Sequence, residues 1–267
     1  MEGLRVATWN LWWHFGPWEE RQPAIHAAMR AVDADVWCLQ EVYRSRDGAD
    51  QAAELADVLG GFHVAHASRF DLEQFPDSIG NAVLSRFPIE GSVARPLPAP
   101  AGLDELRVAV RADIAAPFGP IEVFCTHLNY RLDQSAVRQL QVRALCEFVH
   151  ETEDRRGFPP IVCGDFNALP ESEELRLMTG LTGVPVPGLV FIDAWRAAGS
   201  GPGYTWDNRN PHAAASFEPD ARIDYVLVGY PHETGAGHVE HAAVFGAEPV
   251  DGVWPSDHCG VVTDLRR

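Results

Sequence analysis

The stretch Ile161-Val162-Cys163-Gly164-Asp165-Phe166-Asn167 decides how the rest of the chain is read. Pro159 and Pro160 stop whatever precedes it, and three apolar residues then predict a short buried strand. Gly164 permits a tight exit. Asp165 and Asn167 follow two apart, a spacing that points side chains the same way on extended chain. One carboxylate and one carboxamide would therefore project together from a strand end. A carboxylate placed there can bind a metal or take a proton from water. Asp and Asn also close strands as simple Asx turns, so the decision rests on the other strand ends.

Those ends repeat the pattern. Leu4 to Asn10 alternates and delivers Asn10. Val36-Trp37-Cys38-Leu39 predicts a buried strand ending in Gln40-Glu41, and Ile121 to Cys125 one ending in Thr126-His127-Leu128. Asp224 opens a strand within Arg222-Ile223-Asp224-Tyr225, and Asp257 and His258 stand just before the last strand, Cys259 to Val262. Polar side chains gathered at sheet edges above a packed core lay out a pocket. Each alone has a plainer account: Glu41 as a solvated strand end, His127 as a hydrogen-bonded histidine, Asp224 as a partner for Arg222. Their recurrence argues for one site. Chemically, Glu41 supplies a hard oxygen ligand that Asn10 steadies, a set that suits Mg²⁺ with waters and a substrate phosphate. Asp257 can join the metal or orient the neighbouring imidazole. Two histidines and an Asn donor can hold a phosphoryl group and its developing charge. Neither a Gly-x-Ser-x-Gly nucleophile motif nor a P-loop is present. Metal-assisted water attack on a phosphate ester fits best.

Seven motifs, Thr8-Trp9-Asn10, Leu39-Gln40-Glu41-Val42, Gly80-Asn81-Ala82-Val83-Leu84-Ser85-Arg86, Thr126-His127-Leu128, Gly164-Asp165-Phe166-Asn167, Arg222-Ile223-Asp224-Tyr225 and Ser256-Asp257-His258, stand in the order expected of the endonuclease/exonuclease/phosphatase superfamily, which the chain resembles from residue 4 to its C-terminus. The resemblance implies an α/β, four-layer αββα sandwich of two mostly antiparallel sheets flanked by helices. It implies Mg²⁺ or Mn²⁺ as cofactor, with Glu41 the principal metal ligand, Asn10 its neighbour and Asp257 a second acidic contact. Asp165 resembles the residue that orients or deprotonates the attacking water, and Asn167 and His127 resemble phosphate contacts. His258 resembles the phosphate-binding or acid/base histidine, with Asp224 orienting it. His127 is similar to the DNase I, sphingomyelinase and phosphatase branches, whereas abasic-site endonucleases typically carry Tyr there.

Composition narrows the partners. The 267 residues are 46% hydrophobic, enough for a sizeable core, and no polar linker divides them, so one domain over 1–267 is expected. With 38 acidic and 21 basic residues the net charge is −17, a field that repels polyanions. Basic residues are scattered, with short pairs at Arg155-Arg156 and Arg266-Arg267, so strong binding of duplex DNA is not expected. Five cysteines lack metal-ligand spacing, and Cys38, Cys125 and Cys163 fall in apolar runs. Reduced buried thiols, a start that runs from Met1-Glu2 straight into a strand, and the lack of a membrane-length apolar run lead us to expect a cytoplasmic protein without a membrane span.

The helices are expected at Glu19 to Val32, Ala49 to Leu59, and after Asp133 as cap, with Val137, Leu140, Ala144 and Phe148 inward. Gly180 to Ala221 reads as loop-dominated. Substrate contacts are expected from Trp12 in the Trp-rich loop after Asn10, from Tyr204 and Trp206 in the long loop, and from Arg44 after Glu41. Three functions fit: a metal-dependent hydrolase of small phosphate esters, foremost; a small nuclease with the same site; and a binding module with a decayed site.

Overall fold

A period of two sorts the apolar residues of a strand onto opposite faces, and the computed structural model, which describes residues 3–68, 77–102, 106–152 and 157–267, shows where each face goes. In chain order the first half runs β1 (Leu4–Asn10), α1 (Trp18–Val32), β2 (Val36–Ser45), α2 (Gln51–Val58), β3 (His63–Ser68), β4 (Asp77–Ser85), β5 (Ile89–Pro96), β6 (Val108–Ala116) and β7 (Gly119–His127). The second runs α3 (Ser135–Thr152), β8 (Ile161–Asp165), α4 (Glu173–Thr179), β9 (Phe191–Asp193), α5 (Ala194–Ala198), α6 (Pro211–Ala214), β10 (Asp224–Gly229), β11 (Val239–Phe245) and β12 (Gly260–Leu265).

The strands form two six-stranded sheets, ordered β11-β12-β1-β2-β4-β3 and β5-β6-β7-β8-β10-β9. Each holds one parallel pair, β1 with β2 and β7 with β8; its other pairings are antiparallel. Alternate residues explain the layers. Val6, Val36, Cys38, Val123, Cys125, Ile161, Cys163 and Val226 pack between the sheets. The intervening Ala7, Trp9, Trp37 and Leu39 pack under α1 and α2 with Ile25, Met29 and Leu55. On the other sheet, Phe124, Val162 and Leu227 pack under α3 and α4 with Leu145, Phe148 and Leu175. A fully buried Val or Leu contributes about 1.5–3 kcal/mol relative to exposure, so both faces of each sheet are covered by αββα layering, as expected.

The inter-sheet face changes character at one end. Going up β1 it reads Leu4, Val6, Thr8, Asn10; up β2, Val36, Cys38, Gln40; up β7, Val123, Cys125, His127; up β8, Ile161, Cys163, Asp165; and, on antiparallel β10, Val228, Val226, Asp224. The period that builds the dry core thus carries polar groups to its rim without any change of register.

Several expectations need correction. In α3 the buried stripe is Arg138, Gln141, Val142, Leu145, Cys146, Phe148 and Val149, while Leu140 is half-exposed. Polar residues on the inner face shifted the apparent phase: Arg138 is satisfied by Glu174 and by the carbonyls of Asn129 and Arg131, and Gln141 by Asn129. Asp133 falls in an exposed 3-10 turn (Leu132–Gln134) before α3. The Gly180 to Ala221 stretch is loop-dominated, as expected, with β9, α5 and α6 as short elements within it. Arg155-Arg156 and Met1-Glu2 lie outside the described residues. Among the described residues no helix is long and apolar enough to cross a membrane.

Candidate active site

Each polar group at this rim has a local device that aims it. Glu41 is not at a strand end, as expected, but inside β2: Leu39 pairs with Ala82 and Val42 with Gly80, so Gln40 and Glu41 oppose the single residue Asn81. That two-against-one count is a β-bulge, which re-aims a side chain. Glu41 takes φ +52 there, a left-handed conformation uncommon for Glu and concentrated at functional sites, and Asn167 takes φ +48, which Asn adopts readily in turns. Asp165 closes its own turn by accepting the Asn167 N–H at 2.9 Å.

The side chains converge. Asn10 Nδ2 donates to Glu41 Oε1 at 3.2 Å and to Asp165 Oδ2 at 3.1 Å, joining the two sheets. His127 lies between the same carboxylates, Nε2 at 3.4 Å from Asp165 Oδ2 and Nδ1 at 4.0 Å from Glu41 Oε1. Asn167 Nδ2 stands 3.1 Å from His127 Nε2 and donates to the Leu128 carbonyl at 3.2 Å. His258 Nδ1 bonds Asp224 Oδ2 at 3.0 Å, and its Nε2 reaches to 3.7 Å from Asp165 Oδ2. Arg222 instead bonds Asp193 through its two terminal guanidinium nitrogens, at 3.0 and 2.8 Å, which leaves Asp224 to the histidine. The Thr205 hydroxyl accepts the Asp224 N–H, and the Ser256 hydroxyl donates to the Asn10 carbonyl and accepts the His258 N–H.

Electrostatics separate the groups. Burial raises Asp165 to about 7, helped by Asp224 and opposed by His258 and the Asn10 and Asn167 donors. Burial likewise raises Asp257 to about 7, Glu41 adding to it and His258 and Arg21 opposing. Burial alone would lower His258, but Asp224, Asp165 and Asp257 outweigh it and hold the imidazolium well above the ordinary range. His127, lowered by burial and by the charges of Arg107 and His258, stays neutral. The rim thus offers a cationic histidine, a neutral histidine and a carboxyl poised near neutrality, the separation of roles acid–base chemistry uses.

The donor set also fits a hard divalent cation. Glu41 Oε2 is buried with no hydrogen-bond partner, and a buried orphan oxygen calls for an unseen partner. Asp257 shares its field, and Asn10 already fixes the other Glu41 oxygen. Asp165, Asp224 and His258 also bring donor atoms within 4.8 Å of one another. There Asp224 Oδ2 bonds His258, whose imidazolium is a poor ligand, but Asp224 Oδ1 is also buried without a partner, so both carboxylate sets could hold a cation.

These groups open into a cleft of ≈ 450 Å³ that Trp12 and Trp206 also line, the Trp206 ring edge-on to His258 at 4.9 Å. Two expected contacts lie elsewhere. Arg44 pairs with Asp50 at 3.1 Å, and neither Arg44 nor Tyr204 is among the lining residues. Arg107 and Tyr130, both unforeseen, line the cleft. Arg21, also unforeseen, is a fully buried guanidinium behind the cleft that donates to the carbonyls of Leu11, Trp12, Trp13, Phe15 and Pro255. It locks the Trp-rich loop onto the segment before Asp257. An arginine amid helix residues carries no sequence signal for such backbone partners, whereas Arg107, opening a strand whose far end is apolar, repeats the rule that found His127.

The fold and this rim define a class, and the chain matches the Endonuclease/Exonuclease/phosphatase family over residues 7–258 and belongs to it. Uncharacterized protein YbhP of Escherichia coli K12 is 33% identical over 179 residues, which are 61% of this chain and 66% of that protein. Human Protein angel homolog 2 is 28% identical over 168 residues, 58% of this chain and 30% of that protein. The chain thus spans at most about two thirds of these curated relatives. An endonuclease/exonuclease/phosphatase from Beutenbergia cavernae superposes with TM-score 0.73 at 28% identity, covering 100% of this chain and 72% of that one. Zebrafish (D. rerio) TDP2, solved with a single strand DNA product, gives TM-score 0.78 at 19% identity with 100% of both chains covered, a likeness of fold alone.

Proposed function

We propose that the protein is a divalent-metal-dependent hydrolase of small phosphate esters, acting by direct attack of water. One observation carries this reading: Asn10, Glu41, His127, Asp165 and His258, from five separate segments, meet within 4.0 Å contacts at one cleft, beside an orphaned carboxylate oxygen. A bound Mg²⁺ or Mn²⁺, held by Glu41 and Asp257, would polarise the phosphoryl group. Asp165 then orients the attacking water and accepts its proton. His258, kept cationic by Asp224, donates to the phosphoryl oxygens or the leaving oxygen, and Asn167 and His127 hold the remaining oxygens. Five free, buried cysteines agree with a reducing, cytoplasmic location. A nuclease with the same site is the alternative, and the −17 charge opposes it.

The test is a turnover screen on a phosphodiester, a phosphomonoester and single-stranded DNA, each with Mg²⁺, with Mn²⁺ and with chelator. Metal-dependent release from a small ester is expected. Turnover that survives excess chelator would sink the mechanism, and DNA as the only substrate would promote the nuclease.

A further inference from the structure

The cleft has two sides. In the stacked sheets β12 and β1 pack over β10 and β8, while β4 packs over β6 and β7. The carboxylates and histidines sit between. Residues on the β1 and β10 side include the aromatics Trp12, Phe15 and Trp206, with Ser216, Glu218 and Ile223 from the segment leading into β10. Those on the β4, β6 and β7 side are Ile79, Arg107 and Tyr130. A phosphate held at the centre would therefore have lined space on both sides, one space for each arm of a diester. Arg107 is the only Arg or Lys among the cleft-lining residues described, which matches one phosphate rather than a polyphosphate.

The aromatic side is built, not incidental. The core tryptophans Trp9 and Trp37 are fully buried, but Trp12 is only partly so and takes φ +59, a strained conformation that persists only where its surroundings impose it. Its N–H bonds Asn10 Oδ1 at 2.9 Å, tying the loop to the residue that spans both carboxylates. Gly16 clears space for the ring: a Cβ there, itself at φ +58, would stand 2.5 Å from Trp12 Cζ3. The Arg21 guanidinium lies 4.8 Å from the indole centroid and the His212 ring 4.6 Å. Phe15 extends this wall outward, 47% exposed with its centroid 6.4 Å from Trp12. A large, rigid ring fixed beside a phosphate site contacts planar groups through stacking.

We infer that Trp12 and Phe15 form a specificity wall for a planar aromatic ring system, such as a nucleobase, carried on one arm of a phosphodiester substrate. The inference rests on the hydrolase reading for the bond that is cut, but not for the binding itself. The test is therefore calorimetric titration with AMP and with ribose 5-phosphate, which differ only by the base, in Mg²⁺ and in the Asp165→Asn background. We expect AMP to bind on the order of tenfold tighter, the scale of one base–aromatic stack. Trp12→Leu should abolish that preference, Trp12→Phe should retain most of it, and Phe15→Ala should reduce it severalfold. Phe15 is exposed enough that its removal leaves folding intact, so the test survives a misfolded Trp12 variant. Equal affinity for the two ligands, no saturable AMP binding, or a preference untouched by Phe15→Ala and Trp12→Leu would overturn the wall. A preserved AMP preference without ester turnover would leave the wall standing and remove the hydrolase reading instead.

Discussion

At the scale of single residues, the rim stores charge that the fold alone does not satisfy. Glu41 keeps one buried oxygen without a partner, and Asp165 and Asp257 are raised by burial. Glu41→Gln keeps the shape but removes the charge a hard cation prefers. We expect it to lower turnover by roughly a hundredfold or more, as loss of a central electrostatic element does, with a matching loss of Mg²⁺ stabilisation in a thermal melt. Unchanged turnover would remove Glu41 from the metal site. The same charges make the metal-free protein sensitive to pH. Asp165 and Asp257 titrate near 7 when folded but near about 4 when unfolded, so the folded state binds more protons in between, and stability falls as pH rises from about 4 through 7. His258, raised above its unfolded value, adds stability below about pH 6.5 that is lost as pH climbs through its folded value. Melting temperature in chelator should therefore drop between pH 5 and pH 8, and Asp257→Asn should flatten that slope by removing one titration. An equal slope in wild type and variant would contradict the assignment.

At the scale of elements, the site depends on how closely two strands approach. Gly164 pairs with Thr126 across the parallel β7–β8 ladder at φ +154, and a Cβ there would run into the Thr126 carbonyl. Gly164→Ala should cost on the order of 3 kcal/mol, combining backbone strain with overpacking. Gly183→Ala, with nothing near its Cβ, should leave the urea midpoint nearly unchanged; similar midpoints for both variants would refute the crowding argument. Strand-level features were also the most legible in sequence. Core strands announce themselves because their alternate faces are uniformly apolar up to the residue where they turn polar, so Asn10, His127, Asp165 and Asp224 could be found. What escaped had mixed signals. β5 is largely exposed and β11 carries a register shift, so neither shows clean alternation. The bulge at Glu41 is a matter of pairing with Asn81, which no local pattern encodes. The phase of α3 was masked by Arg138 and Gln141, buried because α4 and Asn129 satisfy them.

At the scale of the whole molecule, charge decides which phosphate-bearing partners can approach. A duplex binder neutralises several backbone phosphates with Lys and Arg, and its affinity falls steeply with salt for that reason. Here the net charge is −17, and many described arginines are already committed. Arg5 pairs with Asp264, Arg86 with Asp33 and Asp35, Arg95 with Glu151, Arg111 with Asp113 and Glu122, and Arg266 with Glu240. A metal at Glu41 can offset repulsion at one phosphate, but its field is screened within about 10 Å at 0.1 M salt and does nothing for the next turn of a duplex. The walls of the cleft point the same way, with Arg107 the only basic side chain beside several carboxylates among the described lining residues. We therefore expect duplex DNA to bind no tighter than the roughly 10⁻⁴–10⁻⁶ M of non-specific contacts. Fluorescence anisotropy of a labelled duplex, at low salt with Mg²⁺ present and Asp165→Asn preventing cleavage, measures this directly. Submicromolar binding that weakens steeply as salt is added would reveal a basic track across this acidic surface and turn the assignment toward a nuclease.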